Sequence, residues 1–173
     1  MRAMRHDRGS RKARVLLGVV AVAAACRPPS PPDVVVVKLP YTLTTFSSGL
    51  RLLVAPEAGS DLVTVTVRLP FGSNADPAGK TGLAHLVEHL TFEARPRGLS
   101  IASTLDRVAL WNNGMTGMAV TEYVAVARAD QLAPLLVVEA LRMSIACKDI
   151  GEDAFARELA VVRNELRARH RSS

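Results

Sequence analysis

Residues 82–92 read GLAHLVEHLTF and place His85, Glu88 and His89 within five positions of an otherwise apolar stretch. The chain has only four histidines among 173 residues, so two of them on one short segment ask for a reason. On a helix with Leu83 at zero degrees, Leu86, Val87 and Leu90 fall within roughly 60° of it, whereas His85, Glu88 and His89 collect on the opposite side. The expectation is a helix with an apolar core face and a chemical face averted from the core. Histidines four apart stand one turn above the other and can direct ring nitrogens at one metal ion, with the glutamate held beside it. HxxEH at 85–89 is the inverted form of the HExxH zinc signature. An incidental polar face is the competing reading. With four His and eight Glu in the chain, a chance HxxEH is expected on the order of once in a few hundred such chains.

A catalytic zinc takes three protein donors and leaves the fourth position to water, so a third donor is needed. A helix expected over residues 152–169 contains FARELAVVRNEL at 155–166. Phe155, Leu159, Val162 and Leu166 form its apolar stripe, and Glu158 and Glu165 lie roughly 60° to 80° to one side. Carboxylates on that flank can face a site. Glu165 and Arg169 also have the spacing of an ordinary i, i+4 surface pair.

The rest of the chain supplies a scaffold. YTLTTF, SSG and LRLLVAP across 41–56 predict a hairpin. LVTVTVRL at 62–69 alternates apolar residues with Thr and Arg, as a strand with one buried face does. A glycine- and proline-rich loop at 70–82 leads into the histidine helix. A second helix is expected over 100–108, a strand over 117–129, and a helix over 131–147 with Pro134 in its first turn. Cys147 reads as a small buried residue on that helix. This order predicts an α+β fold, a mostly antiparallel sheet with helices packed on one face.

The formal charge of +6 is misleading as a whole-chain figure. Arg2, Arg5, Arg8, Arg11, Lys12 and Arg14 against Asp7 place +5 of it in the first 14 residues, so the remainder is nearly neutral and offers no case for nucleic acid. An apolar run over 15–25 follows, too short to span a bilayer and suited to an export signal. Residues 1–25 are expected to be a signal peptide. Small residues before Cys26 are similar to a lipoprotein cleavage site, with lipidation of Cys26 set against simple secretion or an uncleaved anchor. Pro28, Pro29, Pro31 and Pro32 make residues 26–38 a tether. The expected location is a bacterial cell envelope.

TGLAHLVEHLTF, with a glutamate pair on a later helix, resembles the N-terminal domain of the pitrilysin or insulinase metallopeptidases, the family of mitochondrial processing peptidase. TLTTFSSGLRLLV at 42–54 resembles that family's opening hairpin, and VRLPFGSNADPAGKTGLAH at 67–85 its glycine-serine loop. NGMTGMAVTEY at 113–123 resembles an edge strand that pairs with extended substrate, although an asparagine turn before a strand fits equally. The resemblance implies a zinc endopeptidase domain over residues 39–173 with the α/β roll of this family. It implies His85, His89 and Glu165 as Zn2+ ligands, Glu88 as general base, Glu158 as a supporting carboxylate and Asn113 as a contact to peptide substrate. The sequence differs from the family pattern at 92–98, at Gly114, where alanine is usual, and at Ala119, where aspartate is usual. Relatives continue past the third ligand and add a second homologous domain. The fold is therefore expected to be incomplete at the C-terminus and to need a homologous half or partner subunit. The alternative is a non-hydrolytic envelope subunit that binds metal or peptide.

Overall fold

The computed structural model describes residues 40–171. The expected signal peptide, Cys26 and the proline-rich tether lie outside the described residues.

The chain divides at Pro56. The first unit contains the expected hairpin, β1 (Thr42–Thr45) and β2 (Arg51–Val54), antiparallel with Thr42 opposite Val54 and Thr45 opposite Arg51. Its turn is closed by the Phe46 N–H donating to the Leu50 carbonyl at 2.8 Å.

The second unit is built on a three-stranded antiparallel sheet. β3 (Leu62–Leu69) and β4 (Trp111–Thr116) flank a central β5 (Thr121–Arg128). The sequence placed one strand over 117–129. Instead, residues 117–120 form the turn of a β4–β5 hairpin, closed by the Gly117 N–H on the Val120 carbonyl at 2.8 Å. WNNGMT has little intrinsic β-preference, and its ladder with β5 decides its conformation.

Four helices complete the unit: α1 (Leu83–Glu93), α2 (Ile101–Val108), α3 (Leu132–Met143) and α4 (Glu152–Arg171). Alternation along β5 sends Tyr123, Ala125 and Ala127 to the buried face. There Ile101 and Leu105 of α2 and Leu135 and Val138 of α3 pack on the two alanines, whose small side chains let the helices approach. A second cluster joins Leu86 and Leu90 of α1 to Val162 of α4, with Leu159, Leu166 and Ile150 at its margin. The α+β architecture and the helical layer agree with the sequence. Cys147 does not. α3 ends at Met143, and Cys147 is exposed in a short 3-10 turn.

The start of α1 is fixed from outside. Asp76 accepts hydrogen bonds from the backbone N–H groups of Gly82, at 2.7 Å, and Ala84, at 2.8 Å, satisfying donors that the first turn leaves free. Gly82 has φ 91, and a Cβ there would lie 2.7 Å from Cδ1 of Leu166. Both the left-handed backbone and the close approach of α4 demand glycine at this position. α1 and α4 therefore meet side by side beneath the site.

Candidate metal centre

His85 and His89 rise from one side of α1 and Glu165 reaches across from α4. One donor atom from each of the three lies within 4.8 Å of the others. His85 Nε2 and Glu165 Oε2 are 3.4 Å apart, the edge expected of a tetrahedron with bonds of about 2.0–2.2 Å. The two imidazoles meet edge to face, with centroids 4.8 Å apart and planes at 87°. Glu165 is also 3.8 Å from Arg169 Nη2, so the i, i+4 surface pair exists but is the longer of its two contacts.

The chemistry of this set suits a zinc ion. Two imidazoles and a carboxylate are a common zinc donor set. Glu158 Oε2 lies 3.1 Å from His89 Nδ1. A carboxylate accepts, so Nδ1 carries the proton and the Nε2 lone pair is left for another partner. Glu158 is held in turn by Arg157, whose Nε donates to Oε1 at 3.2 Å and which also pairs with Glu93. Burial pushes the His85 imidazole below the usual histidine range, with His89 and Arg169 acting in the same direction against the opposing charges of Glu88 and Glu165. Its Nδ1 is buried without a hydrogen-bond partner, the only such side-chain atom among the described residues.

The face that carries these groups is not averted from the protein. Glu88 is 6% exposed and His85 is half-buried, whereas Leu83 and Val87, expected toward the core, are 37% and 44% exposed. The polar face of α1 looks onto β4 and α4, and part of its apolar flank is open. Helical periodicity separates the two faces correctly and does not say which of them the sheet covers.

Glu88 turns toward β4. Its Oε2 accepts a hydrogen bond from the Thr116 hydroxyl at 2.6 Å. A Cβ built on Gly114 would stand 2.7 Å from Glu88 Oε1 and 2.8 Å from Phe92 Cε2. Asn113 lies one residue away in the same strand, opposite Val124, on the face away from Glu88. It is mid-strand, so the reading of an asparagine turn fails. Thr116 and Asp76 were not singled out by the sequence reading. Thr116 stands three positions after Asn113 in the quoted strand motif, whereas Asp76 lies six residues before the N-cap Gly82, outside the position that carries a helix-capping signal.

Residues 52–172 match the insulinase family, peptidase family M16. The chain is 27% identical over 128 residues to the zinc protease PqqE of Helicobacter pylori, covering 72% of this chain and 28% of that protein. It is 29% identical over 118 residues to the mitochondrial-processing peptidase subunit beta of Caenorhabditis elegans, covering 65% and 26% respectively. The solved structure of a protease from Helicobacter pylori superposes with a TM-score of 0.67 at 26% identity, covering 76% of this chain and 32% of that one. The chain thus spans little more than a quarter of the curated relatives it matches. With the fold, the paired helices and a family match across most of its length, the chain belongs to the insulinase family of metallopeptidases, peptidase family M16.

Proposed function

We propose that this chain carries the zinc-binding and proton-transfer half of a metalloendopeptidase acting on extended peptides. His85, His89 and Glu165 hold the ion, Glu158 orients His89, and Glu88 is the general base. The observation that carries the reading is the convergence of three donor atoms within 4.8 Å from two helices far apart in sequence. A divalent cation held there supplies Lewis acidity, polarising a peptide carbonyl and lowering the pKa of a water from about 16 toward 7. Glu88 accepts the proton of the attacking water and returns it to the leaving amine nitrogen as the C–N bond breaks. Among the described residues β4 pairs only with β5, so its other edge offers main-chain groups to an extended peptide beside Glu88. Asn113 sits on that edge strand as the contact to substrate.

A second reading is a subunit of this family that binds metal or peptide and hydrolyses only with a homologous half or partner. Either product would reach a bacterial envelope through the signal at residues 1–25, with Cys26 as the site of a lipid anchor. The mass of the mature N-terminus tells a lipidated Cys26 from simple secretion. None of the described helices is long and apolar enough to cross a membrane.

Purified full chain and its Glu88→Gln variant distinguish the two. Equimolar zinc by mass spectrometry in both, with cleavage of an unstructured peptide by wild type alone and a loss of at least about 100-fold in the variant, is the expected result. Zinc in both without cleavage by either supports the partner-dependent subunit. Equal cleavage by both removes Glu88 from the chemistry.

A further inference from the structure

We infer that Thr116 is a positioning residue for Glu88, holding the carboxylate of the general base against β4 through a hydrogen bond from its hydroxyl. This rests on the reading of Glu88 as the base.

A glutamate has three rotatable side-chain bonds, and a base that samples many rotamers is seldom aligned with the proton it must take. Here one carboxylate oxygen is held by a donor and the other is given room. Oε2 receives the Thr116 hydroxyl at 2.6 Å, a short contact of the kind formed when the acceptor is charged. Oε1 lies beside Gly114, 2.7 Å from where a Cβ on that residue would stand. The ring of Phe92, one helical turn further along α1, closes the same space at 2.8 Å from that point.

Thr116 is suited to the task. It is β-branched and therefore stiff about χ1, and it stands opposite Thr121 in the last pair of the β4–β5 ladder. The Thr121 hydroxyl lies 3.4 Å away, and its proton goes to the Phe71 carbonyl at 3.1 Å. The Thr116 proton therefore has Glu88 as its acceptor. Gly114 and Thr116 share the face of β4 that looks at α1, so alternation along one strand delivers both the room for the carboxylate and the donor that fixes it.

The test uses the zinc-loaded full chain with an unstructured peptide and three variants: Thr116→Val, which keeps the shape and removes the hydroxyl, Thr116→Ser, which keeps the hydroxyl, and Glu88→Gln. Thr116→Val is expected to lower kcat by about 10- to 100-fold, with KM and bound zinc unchanged, and Thr116→Ser to recover kcat to within about threefold of wild type. Wild-type kcat in Thr116→Val beside an inactive Glu88→Gln overturns this inference alone. So does an equal loss in the Val and Ser variants. A fully active Glu88→Gln overturns the general-base reading, and this inference with it.

A readout independent of turnover is NMR of the full chain. A slowly exchanging Thr116 hydroxyl proton with a nuclear Overhauser contact to the Glu88 side chain, lost in Glu88→Ala, is expected even where the chain hydrolyses nothing by itself. A hydroxyl proton exchanging as freely as an exposed threonine's overturns the inference.

Discussion

Glu165→Ala is expected to weaken zinc binding by the full chain more than about 100-fold, beyond the 10- to 100-fold loss typical when an outer support is removed. Glu158→Gln should stay within that smaller range. The two glutamates lie two turns apart on the same flank of α4, and helical periodicity gives no reason to rank them; in the sequence only the family resemblance does. Geometry ranks them directly. Glu165 Oε2 stands 3.4 Å from His85 Nε2, within the cluster of three donors. Glu158 is spent on the far nitrogen of His89, at 3.1 Å, and on Arg157. Alanine at 165 deletes a donor, whereas glutamine at 158 keeps an oxygen able to accept from His89 Nδ1 and loses only the charge. The Glu165 side chain is 40% exposed and half engaged with Arg169, so the metal-free variant should keep its stability within about 0.5 kcal/mol of wild type. Competition against a chromophoric chelator reads the affinities, and a greater loss in Glu158→Gln than in Glu165→Ala would reverse the assignment.

The second large effect lies beneath the site. Arg142→Ala is expected to destabilise the fold by about 3–5 kcal/mol, because it leaves Glu139 buried without its counter-charge. The Arg142 and Glu139 side chains are 1% and 8% exposed. Arg142 Nε donates to Glu139 Oε2 at 3.0 Å, and Nη1 to Thr91 Oγ1 at 3.3 Å. The guanidinium is stacked between two rings, 4.7 Å from the centroid of Phe92 and 4.4 Å from that of Tyr123. Thr91 and Phe92 belong to α1 and Tyr123 to β5, so one side chain of α3 joins the histidine helix to the sheet. Replacing the pair together, with Glu139→Leu and Arg142→Met, should recover much of the loss, since no unpaired charge remains. Urea denaturation of the metal-free proteins measures both. A cost below about 1 kcal/mol for Arg142→Ala, the range of an exposed pair, would mean that water reaches this guanidinium.

How much of this was legible in the sequence follows from the range of each signal. His85, Glu88 and His89 are read from one helical turn, and β3 from its own alternation, because those patterns are local. Both acidic residues of α4 were visible as a flank. Their division of labour was implied by the family resemblance alone and not by periodicity, since it depends on which imidazole nitrogen each one meets. The Arg142–Glu139 pair has the i, i+3 spacing of a surface ion pair, and only the packing of Phe92 and Tyr123 over it makes it core. β4 was not legible from its own pattern for the same reason, and only the family resemblance of residues 113–123 pointed to a strand there. Two asparagines and a glycine become a strand through their ladder with β5, and that ladder brings Thr116 and Gly114 to Glu88. Leu83 and Val87 mark the limit of periodicity, because an apolar stripe tells how a helix is divided and not what lies against each side.

The most direct test is X-ray absorption at the zinc edge of the full chain loaded with one equivalent of metal. Only nitrogen and oxygen neighbours at about 2.0–2.2 Å are expected, two of them imidazoles, with one imidazole lost in His89→Ala. A sulfur shell near about 2.3 Å, or a spectrum unchanged by His89→Ala, would show the ion bound elsewhere and contradict this assignment of ligands.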